Sequence, residues 1–221
     1  MTITLLNTDC MAFMATLPDK AFDLAIVDPP YGILNKTKRG SQRSPHLYSV
    51  RGEDWDYVPD KEYFDELMRV SNNQIICGGN YFSLPLSNAW IFWHKHQPIS
   101  NYSVGEMLWT SFEMNTKIFD FPCYGNIGQD VVRFHPTQKP VKLYEWLLTN
   151  YAKPGQRILD THGGSMSIAI ACHNLGYDLT LCELDEDYYN AGVARFEQHK
   201  AQGSLFEPEP VRTTSVQSSC I

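Results

Sequence analysis

The chain has 221 residues, 43% of them hydrophobic and 13% aromatic, which suits a single α/β domain with a sizeable core. Its formal net charge of −7 argues against a protein that binds polyanions over its whole surface, but is compatible with a local basic face. No stretch approaches the roughly 18–20 apolar residues of a transmembrane helix, and residues 1–6 lack the basic region of a signal peptide, so we expect neither.

The six cysteines are Cys10, Cys77, Cys123, Cys172, Cys182 and Cys220. They form no C-x-x-C pair, and four of them lie in apolar or strand-like contexts. This pattern predicts reduced core thiols in a cytoplasmic protein. It indicates neither a disulfide framework nor a metal site.

Taken in chain order, the apolar periodicity predicts strands that alternate with helices. Strands are predicted at 3–6, 22–27, 74–77, 89–93, 107–112, 117–121, 157–160 and 179–182, of which the pair at 107–112 and 117–121 is expected to be antiparallel. Helices are predicted at 10–17, 61–70, 141–151, 168–175 and 186–199. Such alternation favours a mostly parallel, twisted sheet with helices on both faces.

Two segments fall outside this pattern. Residues 32–56 form a long polar stretch without periodicity, which we expect to be a mobile loop. Residues 201–221 are rich in Pro, Ser and Thr, which predicts a disordered tail.

The tetrapeptide Asp28-Pro29-Pro30-Tyr31 follows the predicted strand at 22–27. The two prolines stiffen the turn and leave its carbonyls free to accept. The Asp28 carboxylate and the Pro29 carbonyl can therefore accept both hydrogens of one amino group, while Tyr31 offers a flat face to a planar ring. The pattern predicts a site for an exocyclic amine on an aromatic heterocycle; a proline turn with a surface tyrosine is the alternative.

A second candidate site begins where the predicted strand at 157–160 ends. Asp160 is followed by a turn that contains Gly163 and Gly164, and then by a helix, so backbone can approach a ligand closely there. Glu183 ends the next strand, about 20 residues on, a spacing suited to ribose hydroxyls. Alone, this turn is equally typical of a tight strand-to-helix connection. Because carboxyl ends of parallel strands meet at one edge, both sites are expected in one crevice.

The order of these segments resembles that of the S-adenosylmethionine-dependent amino-methyltransferases of DNA, and most closely the small adenine methyltransferases of phage and prophage type. The Asp-Pro-Pro-Tyr motif comes first and the cofactor turn last, with His135-Pro136-Thr137-Gln138-Lys139-Pro140 between them, as in the circularly permuted (β) group. Segments 7–10, 78–82, 90–93 and 107–112 also match. The resemblance covers about residues 1–200 and implies a Rossmann-like methyltransferase fold with a small recognition region within about 94–134.

The resemblance implies a cytoplasmic, site-specific enzyme of restriction–modification type that methylates the N6 amine of adenine in DNA after base flipping. Asp28, Pro29, Pro30 and Tyr31 would be its catalytic residues. Methylation of cytosine N4 is the nearest alternative, although relatives acting on cytosine more often have Ser in place of Asp28. The second alternative is a catalytically silent protein that binds cofactor or DNA in a regulatory role.

Cofactor residues are carried over by position. The resemblance implies that S-adenosylmethionine contacts Asp9, Cys10, Asp28, Lys139, Pro140, Asp160, His162, Gly163, Gly164, Ser165 and Glu183. Met166 departs from the family pattern, because relatives usually have Gly there, and this puts close backbone approach in question.

The partners implied are DNA, a second copy of the chain and a sliding clamp. The basic residues Lys36, Lys38, Arg39 and Arg43 follow the catalytic turn with no acid among them, which predicts phosphate contacts; a solvated loop is the alternative. Gln202, Leu205 and Phe206 resemble the Gln-x-x-Leu-Phe peptide that docks on bacterial sliding clamps, although so short a pattern also arises by chance.

Overall fold

The computed structural model describes residues 1–33, 56–96, 103–122 and 137–204. Its strands are β1 (Ile3–Asn7), β2 (Phe22–Val27), β3 (Ser71–Cys77), β4 (Trp90–His94), β5 (Gly105–Thr110), β6 (Lys117–Asp120), β7 (Arg157–Asp160) and β8 (Asp178–Glu183). Its α-helices are α1 (Cys10–Met14), α2 (Lys61–Val70), α3 (Val141–Tyr151), α4 (Ser167–Leu175) and α5 (Glu186–Ser204). A short 3-10 helix spans Gly79–Tyr81.

The strands form one sheet in the order β1-β8-β7-β2-β3-β5-β4-β6. Neighbours are parallel except where β5 pairs with β3 and β4, so the predicted mostly parallel sheet is confirmed. β5 is antiparallel to both neighbours, as expected. β6 was also expected to be an antiparallel strand, and this was wrong. It lies on the far side of β4 and pairs with β4 in parallel.

Each face of the sheet buries its own apolar cluster. In β2, Leu24 and Ile26 belong to the cluster covered by α3, α4 and α5, whereas Ala25 and Val27 belong to the cluster covered by α1 and α2. This alternation follows from the two-residue period of a strand. The predicted helices on both faces are therefore confirmed.

Several helix boundaries differ from the sequence-based expectation. α1 ends at Met14 and not at residue 17, and Thr16 and Leu17 continue only as turn residues. α5 continues to Ser204, five residues beyond its predicted end and into the segment predicted to be disordered. The rest of that tail lies outside the described residues. Among the described helices, none is both long and apolar enough to cross a bilayer.

The order of the strands places a switch point between β2 and β7. The chain leaves β2 through α2 toward β3 on one side, and leaves β7 through α4 toward β8 on the other. In open α/β sheets, ligands bind in the crevice outside the carboxyl ends of the strands at such a point. Asp28 and Asp160 lie at these two carboxyl ends.

Candidate active site

The Asp28 carboxylate lies at the centre of a hydrogen-bonded network at the end of β2. Lys139 Nζ donates to both of its oxygens, at 2.8 Å to Oδ1 and 2.7 Å to Oδ2. The Tyr31 hydroxyl donates to Asp28 Oδ1 at 2.6 Å. Both oxygens of the predicted catalytic carboxylate therefore have donors from this chain.

Glu106, which the sequence analysis did not select, completes the network from β5. Its Oε1 lies 2.9 Å from the Tyr31 hydroxyl and 3.2 Å from Lys139 Nζ. Its Oε2 accepts from Lys95 Nζ at 2.7 Å. Two carboxylates and two ammonium groups thus balance in charge, which compensates for their removal from water.

The pKa values follow from burial and from these charges. Burial raises the pKa of Asp28 against the opposing effect of Lys139. Burial also favours a higher pKa for Glu106, but Lys139 and Lys95 outweigh it and lower that pKa to about 2. For Lys139, burial lowers the pKa, but Asp28 and Glu106 outweigh it and hold the pKa above its ordinary value.

The Tyr31 ring is fixed by aromatic neighbours and by a glycine. It stacks on Tyr81, with centroids 5.1 Å apart and planes at 16°, and meets the edge of Phe82 at 5.9 Å. Gly78 has a positive φ of 65°, and a Cβ there would lie 2.3 Å from Tyr31 Cε1. The close approach of backbone to ring therefore requires glycine.

The glycine turn after β7 is held by acidic side chains. The Asp160 carboxylate is 1% exposed and accepts from His162 N at 3.0 Å. The two oxygens of Glu183 accept from Gly164 N at 2.6 Å and from Asp185 N at 2.9 Å. Gly163 passes so close to β8 that a Cβ would lie 2.3 Å from Leu181 Cδ2.

Burial sets the protonation of this turn. It raises the pKa of Asp160 to about 8. It also raises the pKa of Glu183 and lowers the pKa of His162 to about 4. His162 is therefore neutral at pH 7, and the crevice carries less negative charge than its acids suggest.

Met166 adopts a backbone conformation that usually requires glycine, with φ 57° and ψ 27°. Its side chain is 0% exposed and packs on α5, where a Cβ on Gly192 would lie 2.5 Å from Met166 Cγ. The side chain is therefore accommodated in the core, between the turn and α5. The turn therefore keeps its left-handed conformation with a methionine at this position.

The beginning of α1 borders the same turn. Asp9 caps α1 by accepting from Ala12 N at 2.8 Å. The Asp9 charge acts on both Cys10 and His162, and burial with this charge raises the pKa of the Cys10 thiol to about 12. Tyr63 of α2 contacts Thr161 at 2.7 Å, and Thr161 contacts His162 Nδ1 at 2.9 Å.

Lys139 joins the two halves of the crevice. Its ammonium contacts Asp28, while its carbonyl accepts from Ser167 Oγ at 2.7 Å at the beginning of α4. Ser165 Oγ lies 3.0 Å from Ser167 Oγ, and Pro140 precedes α3. The predicted cofactor and catalytic residues that are described thus meet at one sheet edge, as expected.

Other predicted residues lie elsewhere. His135 and the basic residues Lys36, Lys38, Arg39 and Arg43 are outside the described residues, so their roles stay predictions. Gln202 is exposed on α5, and Leu205 and Phe206 are outside the described residues, so clamp docking also stays a prediction. The described cysteines, Cys10, Cys77, Cys172 and Cys182, are free thiols.

Glu106 was missed in the sequence, although one signal was present. Glu106 is a single acid in an otherwise apolar strand, and a charged residue at such a position seldom occurs without a partner. Tyr81, which the sequence suggested as a residue of the substrate pocket, stacks on Tyr31. The partner of Glu106, Lys139, is too distant in sequence to be found from spacing.

The sequence profile of a family described as "DNA methylase" matches residues 83–194, just over half of the chain. The Escherichia coli (strain K12) protein YubD is 24% identical over 222 residues, covering 91% of this chain and 96% of its own length. The M1.HpyAVI–SAM complex superposes with a TM-score of 0.56 at 18% identity, covering 88% of this chain and all of that chain. The cytosine-N4-specific PvuII DNA methyltransferase gives 0.60 at 14% identity, covering 91% of each chain.

Proposed function

The chain belongs to the DNA methylase family, and we propose that it transfers a methyl group from S-adenosylmethionine to the exocyclic N6 amine of adenine in DNA. One observation carries the proposal. The Asp28 carboxylate at the end of β2 and the glycine turn at the end of β7 lie at one sheet edge, with Lys139 in contact with both halves. Amine and methyl donor would therefore meet in a single crevice.

The residues at this edge fit S-adenosylmethionine. Asp9, Asp160 and Glu183 supply hydrogen-bond acceptors for its polar groups, and Gly164 allows backbone to approach it. The side-chain oxygen of Gln138 is buried without a hydrogen-bond donor among the described residues, so a polar group of the cofactor is a candidate donor. When bound, the cofactor supplies a methyl group on a positively charged sulfur.

Asp28 and Pro29 act on the amine. The lone pair of adenine N6 is delocalised into the ring, so this amine is a weak nucleophile. Two acceptors, the Asp28 carboxylate and the Pro29 carbonyl, would hold its hydrogens and favour a pyramidal nitrogen that forms the N–CH3 bond as the S–CH3 bond breaks. The amine proton then leaves to Asp28 or to water. Positioning and electrostatics supply most of the acceleration.

Adenine is preferred over cytosine because position 28 is Asp. A carboxylate is a stronger acceptor than the Ser more often found in cytosine-specific relatives. Cytosine N4 presents the same kind of amine, and the fold is shared with a cytosine-N4-specific enzyme, so cytosine is the second candidate. In duplex DNA either base must leave the stack to reach Asp28.

The function is tested by product analysis. Purified protein is incubated with duplex DNA and methyl-labelled S-adenosylmethionine, the DNA is digested to nucleosides, and the labelled nucleoside is identified by mass spectrometry. We expect the deoxyadenosine that is methylated at N6. Asp28→Asn should reduce the rate by about 10²- to 10³-fold, the cost of removing one charge-stabilising group.

Asp65→Asn is the matched control. Asp65 is exposed on α2, where it pairs with Lys61, and it makes no contact with Asp28, so the rate should match that of the wild type. Label on N4 of deoxycytidine would leave the assigned active site unchanged and would make cytosine the substrate. An Asp28→Asn variant as active as the wild type would contradict the catalytic role of Asp28.

A further inference from the structure

Asp28 already has hydrogen-bond donors on both of its oxygens. Its Oδ1 accepts from both the Tyr31 hydroxyl and Lys139, and its Oδ2 accepts from Lys139. A carboxylate offers about four acceptor sites, and three of those on Asp28 are taken, so a substrate amine that donates to Oδ2 shares this oxygen with Lys139. Asp28 becomes a stronger acceptor for the amine when Lys139 and the Tyr31 hydroxyl are released from it.

Release is costly because Lys139 is buried. An ammonium group that is separated from its carboxylate inside a protein keeps a desolvated, unpaired charge. Among the described residues, Asp28 and Glu106 are the acids that pair with Lys139. Glu106 is thus the available alternative partner at the moment when Asp28 turns to the substrate.

Glu106 already contacts both groups that hold Asp28. Its Oε1 is 3.2 Å from Lys139 Nζ and 2.9 Å from the Tyr31 hydroxyl. Its Oε2 is held by Lys95 at 2.7 Å, and its side chain is 8% exposed, so it is fixed in place from the opposite side. Only a small displacement of Lys139 is needed to exchange one carboxylate for the other.

We propose that Glu106 is a positioning residue that receives Lys139 and the Tyr31 hydroxyl when the substrate amine binds to Asp28. This role rests on the proposed function. Glu106 does not touch the reacting atoms, because it acts through Lys139 and Tyr31. Lys95 holds Glu106 in register for this exchange.

The expected effect of Glu106→Gln is a lower kcat. Without a second carboxylate, Lys139 stays on Asp28, and the amine is held less well. We expect kcat to fall by up to about 100-fold, the scale on which misplacement of a catalytic group acts. The KM for S-adenosylmethionine should change little, because the predicted cofactor residues are retained.

The pH profile distinguishes this role from a structural one. Among the described residues, the titratable groups that interact with Asp28 are Lys139, Tyr31, Glu106 on β5, Cys77 on β3, Asp160 on β7, Tyr63 on α2 and Tyr144 on α3. The negative charge of Glu106 raises the pKa of Asp28, so its removal lowers that pKa. Asp28 then stays ionised to lower pH, and the acid limb of the kcat profile should move to lower pH while kcat itself falls.

The experiment measures kcat from pH 5 to 9, and the KM for S-adenosylmethionine, for the wild type, Glu106→Gln, Lys139→Met and the double variant. Glu197→Gln, which removes an exposed acid paired with Lys200, is the matched control and should behave as the wild type. If Glu106 acts through Lys139, its substitution should cost much less when Lys139 is already absent. Circular dichroism and thermal melting establish that each variant is folded.

Three results would overturn the inference. The first is a Glu106→Gln variant with wild-type kcat and pH profile. The second is strict additivity of the Glu106 and Lys139 substitutions. The third is a decrease in kcat that only parallels a decrease in folded protein. In each of these cases the proposed function stands as long as the wild type methylates DNA. A wild type that methylates no nucleic acid would overturn both the proposed function and the role of Glu106.

Discussion

At the scale of single residues, Asp160 shows how burial sets chemistry. Its carboxyl group is almost fully buried at the end of β7, and burial raises its pKa from 3.8 to about 8. The folded protein therefore binds a proton that the unfolded chain releases near pH 4. The contribution of this group to stability is complete below that pH and is lost as the pH rises through 8.

Asp160→Asn tests this linkage. Between about pH 4 and pH 8, the free energy of unfolding of the wild type should fall relative to that of the variant, by at most about 1.4 kcal/mol per pH unit. Urea unfolding at pH 5, 6, 7 and 8 measures the difference. Two stability curves that remain parallel over this window would show that Asp160 is ionised throughout.

Glu106 marks the limit of residue-level inference. The sequence shows that an acid lies within an apolar strand, but it does not show which residues pair with this acid. Its contacts come from Lys95, eleven positions away, and from Tyr31 and Lys139, which are much further along the chain. Only the pairing of β5 with β3 and β4 brings these groups together.

At the scale of elements, the end of β3 controls the position of Tyr31. Gly78→Ala should force a left-handed alanine and drive a Cβ into the Tyr31 ring, which is 2.3 Å from that position. We expect a decrease in methyl transfer that exceeds the decrease in stability. Activity and thermal melting, measured on the same preparation, separate the two effects.

Gly155→Ala is the control for backbone strain. Gly155 also has a positive φ, of 82°, but a Cβ there would meet no atom within 4 Å. This variant should lose about 1–2 kcal/mol of stability and keep its activity. Equal loss of activity in both alanine variants would mean that strain alone, and not the displacement of Tyr31, explains the effect.

Met166, which directly precedes α4, packs into the space left by Gly192 of α5. Met166 accepts an unfavourable φ of 57°, which costs about 1–2 kcal/mol, while its buried side chain contributes about as much or more. Gly192 leaves the space that this side chain fills. Packing therefore outweighs backbone preference at this turn.

At the scale of the whole molecule, the net charge of −7 makes DNA binding depend on a local cluster of cations. The predicted cluster is Lys36, Lys38, Arg39 and Arg43. Replacing all four by Ala should weaken DNA binding and reduce the salt slope of log K by up to about 0.9 for each phosphate that is no longer neutralised. Binding titrations at several salt concentrations measure this slope.

The matched control replaces four exposed lysines elsewhere, Lys61, Lys142, Lys153 and Lys200, and changes the net charge by the same amount. If the cluster binds phosphates, the control should retain most of the salt slope. An equal effect in both variants would indicate that overall charge governs binding, and would contradict the assignment of the cluster.

The elements that depend on local patterns can be predicted from the amino-acid sequence. Strands β2 and β7 and helices α2 and α3 have the predicted bounds, because apolar periodicity and flanking prolines or caps act over a few residues. The motif at Asp28 and the turn after Asp160 were likewise visible as strand ends. Parallel pairing then predicted that both would lie at one edge.

The remaining features depend on how distant segments pack in the folded protein. The pairing of β6 with β4, the burial of Met166 against Gly192, and the network that links Asp28, Lys139 and Glu106 join residues far apart in the chain. Such contacts, and the pKa shifts that burial produces, depend on which surfaces pack together. No local pattern encodes them, because each is a property of several segments at once.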